Sequence, residues 1–352
     1  MQTFRALIKP GFTALLIALL AYSSLASAES AKEPGKLLGT ADVEIPDWFK
    51  ESFLDFREDA EEASKAGKHM LVFADLEGCP YCAKMMEDNF KTAEKDGGNM
   101  ELIKAGFDSI QINIKGSREI AYNKDTTVTE SELAKALDIL YTPTILFMNA
   151  NNKVVARVNG YRSPREFKLV LDYVTEQAYD KTDFPSYRTA NLKDAVYTLL
   201  PHPDFTEITD FQKASDADKP LAILFEDTTC DECERFHKEI LDLPETRSLM
   251  KAYNFVRLDA LSDKELVDTD GNKTTASEWL MKLGISYRPA LLLFAEGEEK
   301  ARVTGLLKSF HMQQLLTYVA QKEYENYSNW IEFGKVHSAK ILNSGKNIDI
   351  WK

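Results

Sequence analysis

The sequence predicts an α/β protein of two tandem domains with one fold, each a central mixed sheet flanked by helices. A Cys-x-x-Cys motif follows a short apolar run twice, at 79–82 and again 151 positions later at 230–233. A proline precedes another apolar run in each half, at Pro143 and Pro289. Two sets of landmarks in one order are far more typical of a duplicated domain than of chance similarity.

Each copy is predicted to contain a strand, a helix, a strand, a helix, a two-stranded hairpin and a last helix. Strands are indicated by alternating or β-branched apolar residues, and helices by apolar residues three or four positions apart. In the first copy these elements are 70–73, the helix at the cysteine motif, 110–114, 131–139, 144–148 with 154–158, and a helix ending near Val174. In the second they are 221–225, the helix at the second motif, 255–258, 277–283, 290–294 with 301–303, and a helix ending near Val319. Because helices separate the strands, each sheet should be covered on both faces.

The remaining segments connect or flank the two copies. We expect the domains to span residues 47–180 and 206–326, joined by a proline-containing linker at 181–205. Residues 29–46 form an N-terminal extension, and residues 327–352 form a tail that we expect to pack onto the second domain.

The first 28 residues have the pattern of a secretory signal peptide. Arg5 and Lys9 precede an apolar run at 12–21, and 26–28 is a small-x-small cleavage site. A membrane anchor that stays attached is the alternative, although the apolar run is short for a span. We therefore expect an exported, periplasmic protein without a stable membrane anchor, in a compartment where disulfides persist.

Composition and charge exclude several classes of protein. Hydrophobic residues make up 44% and charged residues 28% of the chain, as in ordinary globular proteins. Lys and Arg number 43 against 56 Asp and Glu, which gives a net charge of -13. Since phosphate binding depends on clustered positive charge, we do not expect nucleic acid as a partner.

The motifs in the first copy resemble those of a known family. They are Gly78-Cys79-Pro80-Tyr81-Cys82 and the segments 116–119, 131–134, 141–144 and 160–161. A Cys-x-x-Cys that opens a helix after a buried strand, with an x-Pro before a hairpin, resembles the thioredoxin superfamily. More narrowly, the pattern is similar to that of exported thioredoxin-like proteins associated with sulfur oxidation.

The chain departs from that family at one position. Common thioredoxins carry a buried aspartate six residues before the first cysteine, where this chain has Phe73 and Leu224. Asp75 and Glu226 lie four residues before the first cysteine in each copy, and either could take over the handling of protons.

The resemblance implies roles for the cysteines and for the residues around the prolines. Cys79 and Cys230 would be nucleophiles, because helix N-terminal N–H groups favour a thiolate there, and Cys82 and Cys233 would resolve the mixed disulfide. The x-Pro bonds would be cis, with substrate bound by the residues Thr142, Pro143, Arg288, Pro289 and Tyr81. No cofactor and no metal are expected.

Other interpretations of the cysteines remain open. The spacing predicts two disulfides, Cys79 with Cys82 and Cys230 with Cys233, which could also be inert structural bridges. A zinc site is disfavoured because zinc ribbons place their knuckles about 15–20 residues apart. Cys-Pro-Tyr-Cys also occurs in glutaredoxins, and His237 could be a metal ligand or simply a surface or partly buried histidine.

We expect a thiol–disulfide oxidoreductase of the cell envelope, working as a reductase or relay. Its partners would be protein or small-molecule disulfides and an unidentified envelope electron donor. The alternative is a peptide-binding or holdase-like module with a redox-inactive second domain. Asp231 and Glu232 should raise the thiol pKa of Cys230 and make the second site the more reducing one.

Overall fold

The computed structural model describes residues 33–352, and the predicted leader at 1–28 lies outside the described residues. The first half begins with an extension and continues as a domain with helices on both sides of a sheet. Its elements are β1 (Leu37–Leu38), α1 (Phe56–Lys65), β2 (His69–Asp75), α2 (Pro80–Met85), α3 (Met100–Gly106), β3 (Phe107–Asn113), β4 (Glu119–Asn123), β5 (Thr126–Thr129), α4 (Glu130–Ala136), β6 (Thr144–Met148), β7 (Val154–Asn159), α5 (Pro164–Thr175) and α6 (Phe184–Asn191).

The second half repeats this order after the linker and ends in a helical tail. Its elements are α7 (Phe211–Ser215), β8 (Leu221–Glu226), α8 (Cys233–Arg235), α9 (Pro244–Met250), β9 (Asn254–Asp259), β10 (Glu265–Val267), β11 (Lys273–Thr275), α10 (Ala276–Lys282), β12 (Ala290–Ala295), β13 (Glu298–Thr304), α11 (Ser309–Ala320), α12 (Trp330–Asn343) and β14 (Ile348–Asp349). None of the helices in 33–352 has the length and apolar character needed to span a membrane.

Each domain has a four-stranded mixed sheet, as predicted. The strand orders are β3-β2-β6-β7 and β13-β12-β8-β9. In each sheet one neighbouring pair is parallel and the other two are antiparallel. Alternate residues of β2 face opposite sides, so that Phe73 packs with the cysteine helix and Val72 packs with α1 and α4 on the other face.

The sequence analysis missed a second hairpin in each domain. β4 pairs with β5, and β10 pairs with β11, within the long stretch between the cysteines and the proline. These strands are short and mostly polar, so they show little of the apolar alternation that indicates a strand. The helices that follow begin one residue earlier than predicted, because Thr129 and Thr275 each form a capping box with the glutamate three residues on.

The linker and the tail both pack against the domains. Within the linker, α6 begins with Pro185 at its first turn and contacts α5. In the tail, α12 packs on α11, where the rings of Phe333 and Tyr318 are 5.9 Å apart. The tail then reaches back to the N-terminal extension, because β14 pairs with β1 in parallel.

A buried network of charges joins the two domains. Arg188 of α6 donates to Glu166 of α5 at 2.7 Å, and its second terminal nitrogen lies 3.7 Å from the carboxylate of Asp227, which follows β8. Arg288 lies 2.8 Å from the same carboxylate. All four side chains are buried. Because isolated buried charges are very costly, each domain needs the other to complete this network.

We predict that Arg188→Met lowers the free energy of unfolding by about 3–5 kcal/mol, since it leaves the buried carboxylate of Glu166 without its partner and Asp227 with Arg288 as its remaining cation. Urea denaturation followed by circular dichroism measures the change. Lys168→Met is the control, because the Lys168–Asp172 pair is solvent-exposed and such pairs contribute about 0–1 kcal/mol. Equal effects of the two substitutions would contradict a structural role for the buried network.

Candidate active sites at the two Cys-x-x-Cys motifs

The first motif has its nucleophile position at a helix N-terminus. Cys79 is the N-cap of α2 and forms a disulfide with Cys82. The backbone N–H of Cys82 donates to Cys79 Sγ at 3.1 Å. Pro80 occupies the first helical turn, where its fixed φ favours helix formation. This arrangement would stabilise a thiolate at Cys79 after reduction.

The loop before β6 packs against the sulfur of Cys79. The Thr142–Pro143 peptide bond is cis, as the resemblance implied. The hydroxyl of Thr142 donates to Cys79 Sγ at 3.3 Å. The carbonyl of Pro143 accepts from the N–H of Gly160, which holds this loop against the end of β7. Thr142 therefore lies beside the cysteine, with Pro143 next to it in the same loop, and substrate binding by these residues stays a prediction.

Tyr81, predicted to bind substrate, contacts the second domain and the tail. Its hydroxyl accepts from the backbone N–H of Lys308 at 2.8 Å and lies 3.2 Å from Nδ1 of His311. The ring of Trp351 packs edge-on against it, with ring centroids 5.1 Å apart. Burial raises the pKa of Tyr81, and it lowers the pKa of His311 to about 4. Both side chains are therefore neutral at pH 7.

A cavity of about 450 Å³ lies beside Cys79. Its walls come from four parts of the chain: the first domain at Cys79 and Thr142, the second domain at Leu306, the tail at Ile331 and the extension at Leu37. The first site is thus shaped by residues far apart in sequence, which the sequence analysis could not have brought together.

Asp75 is a buried carboxyl group on the same side of the sheet as the first motif. It ends β2, and because side chains alternate along a strand it shares a face with Phe73. Gln111 donates to its carboxylate at 2.7 Å. Burial raises the pKa of Asp75 to about 6. A carboxyl group that titrates near neutral pH can exchange protons during thiol chemistry.

The second motif is more deeply buried than the first. Cys230 and Cys233 form a disulfide and are 1% and 0% exposed, against 7% for Cys79. The helix α8 begins only at Cys233, so Cys230 lies before the helix and not at its N-cap. Tyr197 of the linker packs on this disulfide. Its backbone N–H donates to the carbonyl of Thr228 at 3.0 Å.

The first domain covers the second motif from the other side. Ser163 donates to the carboxylate of Asp231 at 2.5 Å, and Arg165 forms an ion pair with the same group. The guanidinium of Arg162 donates to the carbonyl of Thr304. It also lies 3.8 Å from the ring centre of Tyr287, in the loop before β12. The surface that would bind substrate in the second domain is therefore occupied by the first domain.

Arg288 and Pro289 do not line an open groove. Their peptide bond is cis, as the resemblance implied. The side chain of Arg288 is buried in the network that joins the domains, however, and burial together with the charge of Arg188 lowers its pKa to about 10. In this arrangement Arg288 belongs to the contact between the domains, and the carbonyl of Pro289 accepts from the N–H of Gly305 within the second domain.

His237 is buried and contacts a carboxylate. Its Nε2 lies 2.9 Å from Oε1 of Glu226, whose other oxygen is 3.5 Å from the hydroxyl of Tyr197. Within 33–352 no group of His, Cys, Asp and Glu side chains has the arrangement of a metal site. Glu226 and His237 form a hydrogen-bonded pair beneath the second disulfide, a contact that the sequence analysis did not identify.

The fold and the two cysteine motifs define a protein of the thioredoxin class. The family described as a thioredoxin-like domain matches residues 56–175 and 209–320, more than half of the chain. The chain therefore belongs to the thioredoxin-like domain family, and both matches lie within the predicted domain limits.

Several solved structures are similar to one domain of this chain. A thioredoxin-fold protein from Helicobacter pylori is 24% identical, with a TM-score of 0.31, over 40% of this chain and 92% of that one. A thioredoxin from Thermus thermophilus is 24% identical, with a TM-score of 0.27, over 34% and 83%. The DsbH oxidoreductase is 14% identical, with a TM-score of 0.26, over 39% and 88%. No curated protein matches the chain.

Asp75 should make stability depend on pH. Its pKa is about 6 in the folded protein and 3.8 as its ordinary value, so the folded state holds the proton more tightly. The stability that the bound proton gives to the folded state is complete below about pH 4 and is lost as the pH rises through 6. Asp75→Asn should gain on the order of 3 kcal/mol relative to wild type between pH 4 and 7. Urea denaturation across this range measures it, and parallel curves for the two proteins would contradict the assignment.

The two disulfides should be reduced at different rates. With a phosphine reductant, we expect Cys230–Cys233 to react at least about tenfold more slowly than Cys79–Cys82. The reductant reaches the second disulfide only after the residues that cover it open locally, and an opening free energy of about 1.4 kcal/mol slows the reaction tenfold. Timed alkylation followed by peptide mass spectrometry measures both rates. Arg165→Ala removes a contact to Asp231 and should speed only the second reaction. Equal rates in the wild-type protein would show that the second site is not covered in solution.

Proposed function

We propose that this protein is a thiol–disulfide oxidoreductase of the cell envelope that exchanges disulfides at Cys79 and Cys82. The observation that carries the proposal is the placement of Cys79 Sγ, which accepts the Cys82 N–H and the Thr142 hydroxyl and lies in the wall of a cavity. Exchange requires a sulfur that is both stabilised as a thiolate and reachable by substrate.

The chemistry follows from the positions of the two sulfurs. In the reduced protein the Cys79 thiolate attacks a substrate disulfide and forms a mixed disulfide, while the other substrate sulfur leaves as a thiolate. Cys82, which is fully buried one helical turn away, then attacks Cys79 Sγ. This step releases the second substrate thiol and restores the Cys79–Cys82 disulfide. Asp75, with a pKa of about 6, is the buried group on this side of the sheet that can accept or return the Cys82 proton.

Two features support the setting in the envelope. The leader pattern at 1–28 favours export, and oxidising compartments retain disulfides of the kind seen at both motifs. The oxidised first site needs an electron donor before it can act as a reductase. We propose a thiol of the same compartment as that donor, and protein or small-molecule disulfides as the substrates.

A second candidate function concerns the second domain alone. In the alternative, this domain is redox-inactive and serves as a binding module. Its covered disulfide favours redox inactivity, because Tyr197 and the first domain occupy both sides of the motif. Transfer of electrons from the second pair to the first would require the domains to separate. We therefore assign exchange with outside partners to the first site.

The test is a comparison of two serine variants. With dithiothreitol as donor, Cys79→Ser should lose all acceleration of disulfide reduction, both with insulin and with a small aliphatic disulfide. The double variant Cys230→Ser and Cys233→Ser should keep at least about half of the wild-type rate, since its covered sulfurs do not meet substrate. Cys82→Ser should accumulate mixed disulfides that mass spectrometry identifies. Equal losses in the two variants, or no acceleration by the wild-type protein, would overturn the proposal.

A further inference from the structure

The cavity beside Cys79 is a partly open pocket, and residues of the second domain and the tail form part of its wall. Thr142 and Cys79 share the cavity wall with Leu306 and Leu307 of the second domain. An extended polypeptide that paired with the backbone at Thr142 would have to fit between these walls. A volume of about 450 Å³ suits a small molecule and lies within the usual range of ligand cavities, about 300–1,000 Å³.

One part of the cavity wall is a face of the tail helix. Ile331, Lys335, Ser338 and Leu342 of α12 line the cavity, and their spacing of three or four residues places them on one side of the helix. Val336 is not among the lining residues and is 38% exposed. The tail thus contributes the aliphatic side chains of Ile331 and Leu342 to the cavity that Cys79 lines, together with Leu37 of β1.

The end of the tail is fixed next to the motif. Lys308 and Trp351 both contact Tyr81, and the ammonium of Lys308 lies 5.2 Å from the centre of the Trp351 ring. The backbone N–H of Ser309 donates to the carbonyl of Lys352. These contacts fix the end of the tail beside the first motif, so the cavity wall that the tail forms is part of the folded structure.

We infer that the first site takes a small aliphatic thiol, or the corresponding disulfide, whose hydrocarbon chain lies in this cavity with its sulfur against Cys79. The inference rests on the proposed function and names its substrate class. The thiolate of the ligand attacks Cys79 Sγ and the Cys79–Cys82 bond breaks. A ligand–Cys79 disulfide forms, and Cys82 leaves with the proton that the ligand thiol gave up. No further reactant is needed.

Binding of the ligand's hydrocarbon chain in the cavity can be tested without any redox chemistry. Octanoate and butanoate share one head group, which the exposed Lys115 and Lys335 on the cavity wall can accommodate. Each buried methylene favours binding by about 0.8 kcal/mol, or about fourfold. We expect octanoate to bind the oxidised protein at least about tenfold more tightly than butanoate in calorimetry. Ile331→Gln should remove most of that difference, whereas Val336→Gln on the outer side of the same helix should leave it unchanged.

The reaction of the ligand thiol with Cys79 is tested with mercapto-octanoate and mercaptobutanoate. After an acid quench, mass spectrometry should find the adduct on Cys79 at an at least about tenfold lower concentration of the longer thiol. A cavity-filling variant, Leu342→Trp, checks the result if Ile331→Gln fails to fold. Equal affinities for the two chain lengths would overturn this inference even if insulin is reduced. Chain-length-dependent binding with no adduct at Cys79 would instead overturn the proposed function, and with it the assignment of a thiol.

Discussion

The buried ion pairs of Asp227 with Arg288 and Arg188 are the interaction on which the arrangement of this protein depends. A carboxylate with no exposure to water persists only where cations reach it, and here one cation comes from its own domain and the other from the linker. The two domains are therefore fixed in one relative position. That position covers the second cysteine motif and brings α11 and the tail over the first. The access of substrate to both disulfides thus depends on a charge network that lies outside both cysteine motifs.

The same constraint explains why two similar motifs have different surroundings. Pro80 starts a helix directly after Cys79, whereas Asp231 in the equivalent place is held by Ser163 and Arg165 of the first domain. Asp231, one of the two carboxylates that the sequence analysis expected to repel a thiolate at Cys230, is thus paired with a cation across the domain contact. Its effect on the sulfur is reduced, because an ion pair presents little net charge.

The features that depend on local sequence pattern could be predicted from the sequence. The repeated cysteine and proline landmarks, the apolar strands and the helices after them all lie within a few residues of their predicted places. The capping boxes at Thr129 and Thr275 were also present as T-x-x-E patterns and could have fixed both helix starts. Contacts between Tyr81 and residues more than 220 positions away, and the burial of Arg288, could not be predicted, because they depend on how whole domains pack.

The two motifs also differ in the surroundings of the carboxyl group that lies four residues before the first cysteine. This difference affects proton transfer. Both carboxyl groups lie two residues beyond the position of the usual buried aspartate, and a shift of two keeps a side chain on the same face of a strand. Glu226 is paired with His237, in the domain whose disulfide is almost fully buried. Asp75 is bound by the neutral amide of Gln111 and has a pKa of about 6. Asp75, which can change its charge near neutral pH, thus belongs to the site whose sulfur lines the cavity. Access and proton transfer therefore favour the same motif, although nothing in the cysteine spacing distinguishes the two.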